Sequence, residues 1–257
     1  MCIRRGFSRT SRFSVAAAWF MLVSATFSRA ANATWLGTQN NQWANNANWS
    51  AAPYPENTET ATFNSDGNSQ TVISLPTGFF AVGYIIFTGP SVAAYTIGTG
   101  TRDSQTLIIS TPGEYRIDAS AASSQTFNCG IQLGGGTIGG AYTFRNDAPE
   151  RLLTLSSVFV PTTSSSGTKT VYLRGAGPIT ILGNIQRGVS GLNLNIDNGN
   201  TMTLSGESNT LYAVYLNGTN GILKLDAGAR IYFNNGGSDN IIASQSTTID
   251  GPGSIVL

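Results

Sequence analysis

From Thr71 onward the chain alternates short apolar runs with clusters of Gly, Asn, Asp, Ser and Pro. In Thr201-Met202-Thr203-Leu204, Ala213-Val214-Tyr215-Leu216 and Ile222-Leu223-Lys224-Leu225 the alternation has a period of two. That spacing predicts strands with one buried face. Further runs predict strands at Thr71–Ile73, Val82–Phe87, Leu107–Ile109, Tyr115–Ile117, Phe127–Leu133 and Tyr142–Phe144. Others lie at Leu152–Leu155, Val171–Leu173, Ile179–Leu182, Leu192–Ile196, Ile231–Phe233, Ile241-Ile242, Thr248-Ile249 and Ser254–Leu257. The separators Ser205-Gly206, Asn217-Gly218 and Asn220-Gly221 turn a chain at low cost, because Gly and Asn tolerate positive φ. No window after residue 33 carries apolar residues at helical spacing, so the fold class read here is all-β.

Short strands at this spacing fit a sandwich, a barrel or a β-solenoid. The solenoid is favoured by Thr- and Leu-rich strands, by dense Asn-Gly and Gly-Gly turns, and by the absence of Trp after Trp49. Slim Leu, Ile and Val side chains stack in ladders, and units that cannot bury an apolar face alone can do so in a stack. At about 20–25 residues per coil, roughly 190 residues give eight or nine coils, on the order of 40 Å long. Leu204, Leu216, Leu223 and Ile231 are expected to point into one core. Residues 162–167 and 134–140 read as loops leaving individual coils.

Three segments follow: a signal peptide over 1–33, an aromatic-rich N-terminal cap over 34–66, and a β-helix repeat domain over 67–257. Met1–Arg12 carries four arginines and no acid, Phe13–Phe27 is an apolar run, and Ala31-Asn32-Ala33 has the small-x-small pattern. This composition predicts export with cleavage between Ala33 and Thr34, and Ser28-Arg29-Ala30 is a second site. As a helix the apolar run spans only about 22 Å, short of a hydrocarbon core of about 30 Å, so no membrane span is expected in the mature chain. The expected destination is the extracellular space, the cell surface or the periplasm. Cys2 leaves with the leader, and Cys129 then has no disulfide partner and reads as a small buried hydrophobe on a strand.

Residues 34–66 hold Trp35, Trp43 and Trp49 with Tyr54 and Phe63, and alternate poorly. A cap is the expected role, since a first coil has no preceding neighbour. The competing reading makes Trp43, Trp49 and Tyr54 an exposed platform for sugar rings. At the other end nothing after Ser254 reads as a cover. Ile249, Ile255 and Leu257 are therefore expected to form a face that frays, self-associates or docks onto residues beyond this sequence.

Charge narrows the partners. Only 11% of residues are charged, whereas 40% are hydrophobic, a balance unlike that of disordered chains. Five of the 14 basic residues lie in the first thirty, and without them nine bases face 13 acids, a net charge of −4. Nucleic-acid binding has no electrostatic support. The chain has no histidine and no G-x-S-x-G elbow, which removes the usual triads. The acids are scattered; Glu56/Glu59 and Asp147/Glu150 read as solvated turns, and residues 234–239 as a plain turn. No catalytic residue, metal site or cofactor is expected.

Met202-Thr203-Leu204-Ser205-Gly206, Ser208-Asn209-Thr210, Leu216-Asn217-Gly218 and Gly221-Ile222-Leu223-Lys224-Leu225 form one composite unit. It resembles the autotransporter-associated β-strand repeat of secreted passenger proteins of Gram-negative bacteria. Ile222 stands where that repeat usually has Thr, and Leu211-Tyr212 replaces a Tyr-Thr pair. Trp35-Leu36-Gly37, Asn48-Trp49-Ser50, Pro55 and Ala61-Thr62-Phe63 are similar to the opening of such passengers. The resemblance implies a right-handed parallel β-helix at or beyond the cell surface, and no catalytic residue. The expected function is therefore non-enzymatic adhesion or matrix contact, with extracellular polysaccharide as a candidate partner. The alternative is a carbohydrate-binding or polysaccharide-lyase-like β-helix protein.

Overall fold

The computed structural model describes residues 31–78, 80–134, 139–161, 167–188, 191–219, 221–233, 241–244 and 248–256. The expected leader over 1–30, most of the two expected loops, the turn at 234–239, Asn220 and Leu257 lie outside them. The described chain is a β-solenoid of parallel strands in eight turns. Helix among the described residues is confined to two 3₁₀ turns, Asn46–Asn48 and Gly67–Ser69. No described helix is long and apolar enough to cross a membrane.

Each turn visits three faces. One full circuit runs through Gly140–Asn146, Leu153–Leu155 and Val158–Phe159, and returns at Lys169–Gly175 beside its own start. The middle face is an eight-stranded sheet from Val72–Ile73 to Thr248–Asp250. The other two faces share one fifteen-stranded sheet that bends at Thr106–Ile117. The first part of that strand pairs with Gly130–Leu133 and its last part with Gly140–Asn146. Two expected strands are therefore one bent strand, and the expected Phe127–Leu133 strand is two. Cys129 sits at the corner between these two, buried and free, and not on a strand.

Register gives the size of a turn directly. Ile73, Ile97, Phe127, Leu155, Ile181, Leu204 and Leu225 are successive partners, so a turn takes between 21 and 30 residues. All seven are at most 2% exposed. Beside them runs a second inward column, Leu153, Ile179, Met202 and Leu223. The residues between the two columns face outward as a line of half-buried threonines, Thr96, Thr126, Thr154, Thr180 and Thr203. β-Branched side chains suit that pleated, half-covered surface. Leu216, Leu223 and Ile231 join Leu204 in the same core.

Corners must satisfy backbone groups that the sheets leave over. Buried amides do this from inside. Asn209 accepts from the Ile185 N–H at 2.9 Å and donates to the Gly206 and Arg230 carbonyls at 2.8 and 3.0 Å, linking three turns. Gln125 accepts from the Tyr95 N–H at 2.9 Å and donates to Ala93 and Ser123. Such a group left unpaired would cost about 1–3 kcal/mol, so each corner amide favours this stacking over its alternatives. Gly175 shows how tight a corner is: its φ is +105°, and a Cβ there would collide with the Asn146 carbonyl.

Residues 34–66 share this sheet. Thr60–Phe63 pairs with Ala81–Phe87, and Ala33–Thr34 pairs with Thr60–Phe63. The stretch between them folds back through an antiparallel bridge from Trp35 to Trp49.

Candidate functional site

The competing reading of Trp43, Trp49 and Tyr54 as an exposed aromatic platform does not fit the two tryptophans, which are buried. Trp35 and Trp43 are fully buried and Trp49 is 4% exposed. Each indole N–H is used internally: Trp43 donates to the Pro55 carbonyl at 2.9 Å, Trp49 to Trp43 at 2.7 Å and Trp35 to Gln70 at 3.1 Å. The Trp43 and Trp49 rings lie 4.8 Å apart, and both contact Phe63. Tyr54 is half-buried, its ring 6.2 Å from Phe80. Rings with this much apolar area gain more by filling a core than by waiting in water for a sugar. Beneath them Asn48 accepts from the Gln39 and Asn40 N–H groups and donates to Asn40 and Gln42, which fixes the loop between.

Of the two carboxylate pairs, Asp147 of Asp147/Glu150 takes part in an outward charge ladder, and Glu59 of Glu56/Glu59 keeps one buried carboxylate oxygen without a partner. Arg116, Arg145 and Arg174 occupy one outward column on successive rungs. Stacked like charges about 4.8 Å apart repel, and acids at the strand ends offset this. Arg116 meets Asp118 at 2.8 Å, Arg145 meets Asp147 at 2.7 Å, and Arg174 reaches Asp197 on the next rung at 3.4 Å. The Asp147 hydrogen bond raises the Arg145 pKa above its ordinary value. Asp147 therefore offsets the Arg145 charge within this ladder.

Residues that converge are found elsewhere. Along the corners between the middle face and the face that carries Val158–Phe159 and Ile185–Gln186 runs an open cleft of about 570 Å³. Its polar lining comes from several turns: Arg102, Asp103, Ser157, Asn184, Ser205 and Glu207. One wall is the loop carrying Arg102 and Asp103. Gln105 pins that loop by accepting from the Thr99 N–H at 2.7 Å and donating to Leu75 at 3.0 Å. Asp103, in the left-handed region at φ 63°, then reaches across to Ser157. It accepts from the Ser157 hydroxyl at 2.7 Å and its N–H at 3.1 Å. On the far wall the Ser205 hydroxyl donates to Asp226 at 2.6 Å, and Asn184 accepts from the Ser208 N–H at 3.0 Å. The cleft thus offers a guanidinium, carboxylates, hydroxyls and an amide, with Leu182 as its apolar contact. It is within the size range of small-ligand sites and suits a hydroxyl-rich ligand.

These residues escape sequence reasoning because stacking brings them together. Asp103 and Ser157 are 54 residues apart, two turns of the solenoid, and no spacing rule links them. The one local signal is Arg102-Asp103 among the uncharged residues of a turn. Among the described residues, no group of three His, Cys, Asp or Glu is placed to hold a metal ion. No family model, no curated protein and no solved structure matches the chain.

Proposed function

We propose that this protein is an exported, non-enzymatic β-helical structural protein of the passenger type, holding its corners and loops toward polysaccharide or matrix at the cell surface. The observation that carries the reading is the stack of eight parallel turns around one hydrophobic core, stitched by corner amides. Such an architecture is a stiff spacer whose variable parts point outward. The basic-apolar leader and the repeat-like stretch Met202–Leu225 support export and a passenger role. The ring cluster at Trp35, Trp43 and Trp49 acts as the N-terminal cap of the rod. The test is to express the full chain in a secreting bacterial host, then fractionate and treat intact cells with protease. Recovery outside the inner membrane, as a leader-free and protease-accessible β-rich product, is expected. A product confined to the cytoplasm would refute the proposal.

The cleft favours a second reading, saccharide binding along the corners. Arg102→Ala and Glu207→Gln, both at exposed positions, should weaken glycan-array signals without moving the melting temperature. An array that stays blank with the parent chain argues against this reading and leaves the structural role intact.

A further inference from the structure

The leader offers two small-x-small sites, Ser28-Arg29-Ala30 and Ala31-Asn32-Ala33, and the sequence pattern favours the second. The fold favours the first. Ala33 is 6% exposed, sits opposite Ala61 in the parallel sheet and belongs to the hydrophobic core. The Asn32 side chain accepts from the Thr60 N–H at 2.7 Å, at the start of the neighbouring strand. The Thr34 N–H donates to the Ser50 hydroxyl at 2.8 Å, and the Thr34 carbonyl accepts from the Ser50 N–H at 2.9 Å.

Cleavage after Ala33 would remove the first half of this strand and the acceptor of Thr60. It would also put a new α-ammonium group on half-buried Thr34, at the edge of the sheet, where the chain now carries a neutral peptide N–H. Cleavage after Ala30 removes none of these contacts and leaves the new terminus at Ala31, one residue ahead of exposed Asn32. Asn32 and Ala33 have folded-state roles only if they survive processing. Resting on the export reading above, we infer that the leader is cut between Ala30 and Ala31, so that the mature chain begins Ala31-Asn32-Ala33-Thr34.

The peptidase acts on an unfolded chain, so the fold selects the product and does not gate the cut. Intact mass and N-terminal sequencing of the exported protein decide the matter. A start at Ala31 is expected. A start at Thr34 overturns this inference while export stands, and an intact Met1 on a retained product overturns export itself. An independent arm compares chains made without a leader and starting at Ala31 or at Thr34. The longer should melt several degrees higher, and equal melting temperatures would remove the structural reason for the Ala30 site. Ala30→Leu, which blocks the proposed site, should accumulate precursor or shift the start to Thr34. Unchanged processing of Ala30→Leu would count against the assignment.

Discussion

Around Phe63 the core is made of rings: Trp35, Trp49, Trp43, Phe87 and Tyr95 have centroids 4.7 to 6.1 Å from it. Beyond Phe144 no described aromatic side chain is fully buried, and the same space is filled mainly by Leu, Ile, Val and Met. The buried Lys169 is an exception, its ammonium donating to the Gly134 carbonyl at 3.1 Å and the Tyr142 hydroxyl at 3.3 Å. The two regions solve one packing problem differently. In the aliphatic turns each rung repeats the one before, and neighbours are near-interchangeable in shape. At the ring-filled end large rings pack against one another around Phe63 in place of the repeated aliphatic columns. Rings are also directional: three indole N–H groups each have one particular carbonyl to find. The aliphatic half should therefore tolerate changes of shape and fail on polarity, whereas the ring-filled end should fail on shape as well.

The sharpest break is Leu204→Asp in the aliphatic half. Leu204 lies fully buried between Ile181 and Leu225. A loss of about 4–5 kcal/mol is expected, near the top of the range for one substitution. Urea unfolding measures it, and a midpoint within error of the parent would mean that Leu204 does not face the core. Next comes Trp43→Ala, expected to cost about 3–5 kcal/mol. Trp43→Phe keeps a ring and gives up the bond to Pro55, and should cost clearly less. Equal costs for the two would show that the indole donor, and not ring volume, holds this end.

Alkaline pH separates the halves by ionisation. Burial raises the Tyr115 phenol and the Cys129 thiol well above their ordinary values, and both lie in the ring-filled half. Both are acids held neutral by folding, so their contribution is complete below the unfolded pKa and lost as pH rises above it. The unfolded thiol ionises from about pH 8.5 and the phenol from about pH 10, each costing about 1.4 kcal/mol per pH unit thereafter. Stability should fall in two stages across that window, and Cys129→Ala should remove the first. A flat profile to pH 11 would show that neither group is sequestered.

Much of this contrast was legible in the chain. Val82–Phe87, Leu192–Ile196 and Thr201–Leu204 are long enough to show alternation, and the structure pairs them as strands. Thr96–Ile97, Val158–Phe159 and Ile185–Gln186 have two residues each, too few to carry a period, and only stacking makes them strands. Asn209 reads as a turn residue by type, yet it lies in the strand Asn209–Leu211 with its amide turned inward to bind three backbones. Burial of the tryptophans was the favoured reading, but the partners that bury them, such as Phe63 and Phe80, are not revealed by spacing. The cleft at Asp103 and Ser157 was illegible for the same reason: its neighbours are set by turn length.

The smallest expected effect sharpens the comparison most, because it uses one residue type in one column. Ile179 and Ile249 both belong to the inward column of the middle face, linked through Met202 and Leu223. Ile179 is 1% exposed and Ile249 39%. Truncating Ile179 to Ala removes fully buried carbons and leaves a cavity, a loss of about 2–5 kcal/mol. At Ile249 much of the side chain already meets water, so little transfer energy is lost and no closed cavity forms. Ile249→Ala should therefore cost less than about 1 kcal/mol. Both are read from urea midpoints at low protein concentration. If Ile249→Ala costs as much as Ile179→Ala, the Ile249 side chain is covered in solution. The parent chain's mass by light scattering would then have to rise with concentration, and the variant's would not. Equal costs in a strict monomer would mean instead that the last described turn is packed as tightly as the middle ones, and the gradient from closed to open along this column would be wrong.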